Sequence, residues 1–171
     1  YIESCKKIKY MFPKAHAVAY VMMAFRIAWF KVHMPMIYYC MFFSTRCDAY
    51  DIDTMIKGEA SIRQRMAQIQ ELSRSNDRNV KPSKKDLDTF STLELALEMV
   101  LRGYHFSNID INRSSATEFI VDTENRNAII PPFTSIDGLG ESVADSIVKA
   151  REEAPFLSKE DLLKRSSLSV S

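Results

Sequence analysis

The chain of 171 residues has only 4 glycines and 3 cysteines. Scarce glycine beside 9 methionines and many leucines and alanines favours helix over strand. Cys5, Cys40 and Cys47 are an odd set at no metal-ligand spacing, which points to free thiols in a reducing cytoplasm rather than a disulfide framework or a zinc site. There is no signal peptide and no internal repeat. A clean membrane span is also lacking. The apolar run 17–43 contains Arg26, Lys31 and His33 and is broken by Pro35, so neither half reaches the roughly 20 apolar residues a span needs. No carboxylate pair reads as a metal site. Asp51 and Asp53 are spaced like ligands, but that position suits helix capping. The chain starts at Tyr1 without a methionine and ends in Ser-Ser-Leu-Ser-Val-Ser, both suggesting a piece of something longer.

Net charge is also nearly absent, at +1, but it is unevenly spread. Residues 1–34 and 57–85 each carry a net +5, and residues 86–130 a net −5. Two basic blocks on a near-neutral chain fit local contact with phosphates, and a solvated charged face explains 57–85 equally well.

The apolar periodicity at Ala19, Met22, Met23, Arg26, Ile27 and Phe30 predicts a first helix from near Pro13–Ala15 to His33. Nearly all its faces are apolar, so it should be buried among partners that are largely missing here. Pro35 suits the first turn of a second helix, to about Thr45. A third, capped by Asp51 or Asp53, is expected from about Thr54 to Ser75, with the stripe Ile62, Met66, Ile69 and Leu72. Arg63, Arg65 and Gln68 on its other faces could track a nucleic-acid backbone. Residues 76–86 read as a linker. A connecting helix within 87–103 follows, from about Thr89 or Ser91 to Arg102. Leu93, Leu97 and Leu101 should form its buried face, with Gly103 just past its end. Then Thr117–Val121 and Ala128–Ile130 read as a β-hairpin about Asn125 and Asn127, closed by Pro131-Pro132. The fold class is therefore mainly α with a small β-hairpin (α+β).

Two stretches can carry chemistry. The first is Tyr10-Met-Phe-Pro-Lys-Ala-His-Ala-Val-Ala-Tyr20, which sets Lys14 and His16 at the mouth of the first helix. Free amides at a helix start, a lysine and a histidine suit a polyphosphate. A core helix with a solvated start accounts for the same residues. The second is Ile136-Asp137-Gly138-Leu139-Gly140, followed by a helix from Glu141. It has the form of a helix–hairpin–helix. The glycines permit unusual backbone angles and close approach, and the turn feeds a helix start whose amides can hold a DNA phosphate without reference to the base. Leu139, Val143 and Ile147 should lock its two short helices together. Lys149 and Arg151 follow close behind, whereas Asp137 inside the hairpin repels phosphate unless turned away. A plain tight turn is the alternative.

The run from Lys6 to Ala17, continuing to Phe30-Lys31-Val32-His33, resembles the end of the fingers domain of the C-family bacterial replicative DNA polymerases, the polymerase III alpha subunits. Its Phe-Pro-Lys-Ala-His wording is closer to the PolC type than to the DnaE type. Residues 102–119, Ile130-Pro-Pro-Phe133, the hairpin and 156–163 resemble, in order, the duplex-binding region that follows the fingers. The linker is the least familiar part, and the usual continuation after Leu168 is absent. The resemblance implies fingers over 1–75 and a duplex-binding region over 104–171. It gives Lys14, His16 and Tyr20 to the incoming dNTP, and Gly138, Gly140, Ser142 and Lys149 to primer–template duplex DNA. It assigns no catalytic residue and no metal here. The catalytic palm with its Mg2+, the exonuclease and the zinc-bearing segment would lie in the rest of the polymerase chain. A stand-alone helix–hairpin–helix DNA-binding module is the rival reading, and a helical scaffold without nucleic acid is a third.

Overall fold

The computed structural model describes residues 3, 6, 13–74 and 81–168. Cys5, most of the basic run before Pro13 and linker residues 76–80 lie outside them. The fold is mainly α with a small β part: seven helices and a three-stranded sheet among the described residues. Contacts divide the chain into two compact units, Tyr1–Pro35 and Met36–Ser171.

The first unit contains α1, Lys14–His33. Pro13 stands at its N-cap, where a fixed φ and a missing N–H cost nothing. None of its residues is buried, so Phe25, Trp29, Phe30 and Val32 all face outward. The helix is unbroken through Arg26 and Lys31. At 20 residues it is long and apolar enough to cross a membrane by length and composition, which differs from the expectation that its charges keep it too short.

Helix α2 runs Pro35–Arg46, all but its first residue in the second unit, and buries Tyr39, Cys40 and Phe43. The expected single third helix is two. Asp51 caps the short α3, Ile52–Ile56, by accepting from the Thr54 amide. Gly58 then takes φ +86 and closes onto the Met55 carbonyl before α4, Glu59–Arg74. A left-handed residue at a helix end is a common stop, and glycine bears it without strain.

Helix α5 spans Lys84–Leu101, starting earlier than the apolar pattern indicates. Its start is fixed by a reciprocal capping box. The Ser83 hydroxyl accepts from the Asp86 amide, and the Asp86 carboxylate accepts from the Ser83 amide. Its buried face is Thr89, Thr92, Leu93, Ala96 and Met99. Leu97 is half-buried and Leu101 is 56% exposed, because each i+4 step overshoots a helical turn by about 40° and carries the leucine series off the face.

Gly103, at φ +86, ends α5 as expected and leads into β1, His105–Phe106, a strand the sequence reading lacks. It pairs parallel with β3, Ala128–Ile130, on whose other edge β2, Ile120–Val121, forms the expected antiparallel hairpin. Phe43 lies between Phe106 and Phe119, at 5.3 and 5.4 Å between ring centroids. This places α2 and the sheet in one core with Met55, Ile62, Ile69, Leu93 and Met99. The Ser44 hydroxyl accepts the Phe119 amide at 2.8 Å and fixes that join. A second cluster, around Phe133, Ala144 and Ile147, underlies the hairpin and the two C-terminal helices α6, Glu141–Glu153, and α7, Lys159–Arg165.

Candidate nucleic-acid interface

The hairpin at 136–140 is entered from one 3-10 turn, Phe133–Ser135, rather than from a second α-helix. Pro131-Pro132 sets that turn. The Phe133 and Thr134 amides bond the carbonyls of Ser115 and Ala116, and Ser135 closes back on Pro132. Leu139 and Val143 pack on Phe133 and Ile147, so the apolar lock forms as expected, but between α6 and this turn.

The two hairpin glycines have different roles. Gly138 has φ +82, a left-handed angle that strains any side chain. Gly140 has φ −75 and ψ 158, which any residue adopts, so the expectation of a special angle fails there. An added Cβ at 140 would meet nothing within 4 Å, so no neighbouring protein atom requires glycine there. Gly140 is the N-cap of α6 and gives it no side-chain cap. The Val143 amide turns back to the Gly140 carbonyl, while the Glu141 and Ser142 amides sit in the first turn, where no helical carbonyl precedes them. Gly138, Gly140, Ser142 and Lys149 are all exposed. The structure thus brings Gly138, Gly140 and Ser142 together at one open helix start, with Lys149 two turns along.

Arg151 serves the fold instead. Its guanidinium donates to the Ile111 and Ser114 carbonyls at 3.1 and 2.9 Å, tying α6 to the loop between β1 and β2. Arg165 works similarly from α7, donating to the Ala150, Ala154 and Pro155 carbonyls and stacking 4.9 Å from the Phe156 ring. Asp137 is turned outward and is bound by Lys85, whose ammonium donates to both carboxylate oxygens at 2.7 and 2.8 Å. Beside this pair, a cleft of about 680 Å3 is lined by Asp51, Arg65, Asp86, Thr89 and Ser135 among others. Arg65 there bridges Asp51 and Asp86, at 3.2 and 2.9 Å, and Arg63 pairs with Glu59. Neither Arg63 nor Arg65 is thus held ready for a backbone. Asp51 caps α3 and pairs with Arg65. Among the described residues no group of three His, Cys, Asp or Glu side chains is placed to hold a metal ion.

In the first unit Lys14, His16 and Tyr20 are exposed at the start of α1. Pro13 provides no side-chain cap, and the Ala17 amide closes on the Pro13 carbonyl. His16 and Tyr20, one turn apart, meet edge to face at 4.6 Å, and Lys14 lies at the mouth of the same helix. Cys40 and Cys47 are free thiols. Burial pushes Cys40 up to about 12 and raises Cys47 as well, so both stay protonated at neutral pH.

The sequence reading missed the Lys85–Asp137 pair and the Arg65 bridge. Lys85–Asp137 spans 52 positions and Arg65–Asp86 spans 21, and no local spacing announces such contacts. The Asp86 half of the bridge had one local sign, Ser83-x-x-Asp86, which marks a helix start.

A family model described as a helix-hairpin-helix motif matches residues 103–171. Three relatives, each described as DNA polymerase III PolC-type, align over 169 residues and 99% of this chain. Those of Bacillus subtilis strain 168, Oceanobacillus iheyensis and Streptococcus pneumoniae strain D39 are 57%, 54% and 53% identical to it. The chain spans 11% of the length of each of them. An identity above 50% across essentially the whole chain, with the hairpin in its expected place, means that this chain belongs to the PolC-type DNA polymerase III family as a segment of its much longer members.

Proposed function

We propose that this chain is a positioning segment of a replicative DNA-directed DNA polymerase, which holds product duplex through the 138–142 hairpin and the incoming dNTP through the start of α1. The observation that carries the reading is the uncapped start of α6 behind Gly138 and Gly140, in a region matching a helix-hairpin-helix motif. Backbone N–H groups at such a corner donate to any DNA phosphate, which is what an enzyme traversing all sequences requires.

The chemistry itself would be two-metal phosphoryl transfer on Mg2+ held by palm carboxylates elsewhere in the polymerase. The residues of this segment contribute orientation. Lys14 supplies a compact positive charge to the triphosphate, His16 a hydrogen bond, and Tyr20, packed on His16, a surface near the nascent pair. The exposed apolar faces of α1 fit burial against the rest of the polymerase chain rather than lipid, since Arg26 and Lys31 lie within the helix. As part of a bacterial replicative polymerase, the chain would work in the cytoplasm.

Gly140→Ala tests the hairpin. Its angles suit alanine and its Cβ meets nothing within 4 Å, so stability should hold or rise by about 0.4–1 kcal/mol. Duplex affinity should fall, because the methyl stands where a phosphate must approach. Unchanged affinity contradicts the cradle. For the other end, Lys14→Ala in the intact polymerase should raise KM for nucleotide more than it weakens duplex binding, and equal nucleotide kinetics would end that assignment.

A further inference from the structure

The hairpin carries an acid where a phosphate cradle should have none, and that acid is already matched. Lys85 reaches across 52 positions from the first turn of α5 to grip both oxygens of Asp137, the residue next to Gly138. Both side chains are well exposed, 59% and 80%, so the contact contributes little to the fold. A salt bridge this open exchanges readily with another anion. Lys84 and Asp88 line a second, separate cleft between α5 and the 3-10 turn, to which Lys85 and Asp137 also contribute. Asp86 of that first turn is committed elsewhere, to Ser83 and Arg65.

We infer that Lys85 is a further duplex-phosphate ligand, and that Asp137 occupies it as an internal stand-in for phosphate until DNA arrives. The inference rests on the hairpin as a phosphate cradle. A phosphate held on the 138–142 amides lies beside Asp137, so like-charge repulsion drives that carboxylate off, and the released ammonium moves onto the DNA backbone. Asp137 thereby lowers the affinity of the free protein for stray polyanions, and the exchange lets the duplex slide while Lys85 passes between acid and phosphate. A salt bridge that merely props the hairpin predicts the opposite response to removing the acid.

The test measures binding of a primed duplex by the intact polymerase between about 50 and 200 mM salt, for the parent, Lys85→Ala, Asp137→Asn and Gly140→Ala. Lys85→Ala should weaken binding about 3–10-fold and make the slope of log K against log salt shallower by about one. Asp137→Asn should tighten it several-fold with no loss of slope. Thermal melts of all four should agree within a few degrees, since neither side chain is packed. Asp137→Asn weakening binding as Lys85→Ala does would make the pair a strut and overturn the inference. So would parent-like affinity and slope in Lys85→Ala while Gly140→Ala binds weakly, which leaves the cradle standing. Full binding by Gly140→Ala removes the cradle and the inference with it.

Discussion

Asp122, 3% exposed, takes the Ser107 hydroxyl at 2.7 Å, the Glu124 and Asn125 amides, and the Arg113 guanidinium at 2.8 Å. It therefore holds the hairpin turn and the end of β1 together, and sets the loop on which Arg151 anchors α6. The Ser107 bond foremost, then the amides and Arg113, hold its carboxyl below the usual carboxylate range. A carboxyl depressed in the fold adds stability above its unfolded value of about 3.9, and loses it as pH falls through the folded value. Melts from pH 7 downward should thus drop below about pH 4, and Asp122→Asn should flatten that drop. Asp122→Ala should cost about 1–3 kcal/mol at neutral pH, through the donors it orphans. A loss within 0.5 kcal/mol, the range of ordinary surface changes, would remove its structural role. At this scale the sequence revealed types but not partners. Arg65 and Arg151 looked like candidate or nearby phosphate groups, yet acids and carbonyls far along the chain claim them.

Helix starts and stops were readable where one residue type dictates them, as with Pro13, Pro35, Asp51 and Gly103. They were missed where the signal is a pair or a lone glycine in polar sequence. Ser83 and Asp86 cap each other across Lys84-Lys85, a stretch whose polarity reads as linker. Ser83→Ala should cost about 1 kcal/mol in chemical denaturation and fray the first turn, including Lys85; no loss would show the helix start held by Arg65–Asp86 alone. Gly58 hides the break between α3 and α4, because one glycine interrupts a helical pattern only weakly. At φ +86, Gly58→Ala should cost about 1–2 kcal/mol by backbone strain alone, as an added Cβ meets no atom within 4 Å. Strand β1 left no trace, since two residues cannot display a period and its partner β3 is parallel and 23 positions on.

For the molecule as a whole, the contrast between units matters most. Residues 36–171 bury Tyr39, Phe43, Phe106, Phe119 and Phe133, whereas α1 buries nothing. The sequence foresaw this, because a helix apolar on every face must find its cover outside itself, and the relatives are about nine times longer. The chain alone should therefore associate through α1, and replacing Phe25 and Val32 by Lys should raise its soluble fraction without altering the melt of the second unit. Function was legible through motif order rather than charge, since the hairpin lies in the acidic half of the chain. The central claim is that backbone amides at 138–142 grip duplex phosphate whatever the bases. Titrating a 15N-labelled chain with two duplexes of unrelated sequence tests it most directly. The Gly138, Gly140, Glu141 and Ser142 amide signals should shift together and alike for both duplexes, and to a lesser extent at higher salt. Duplex binding that leaves those four signals in place would contradict it.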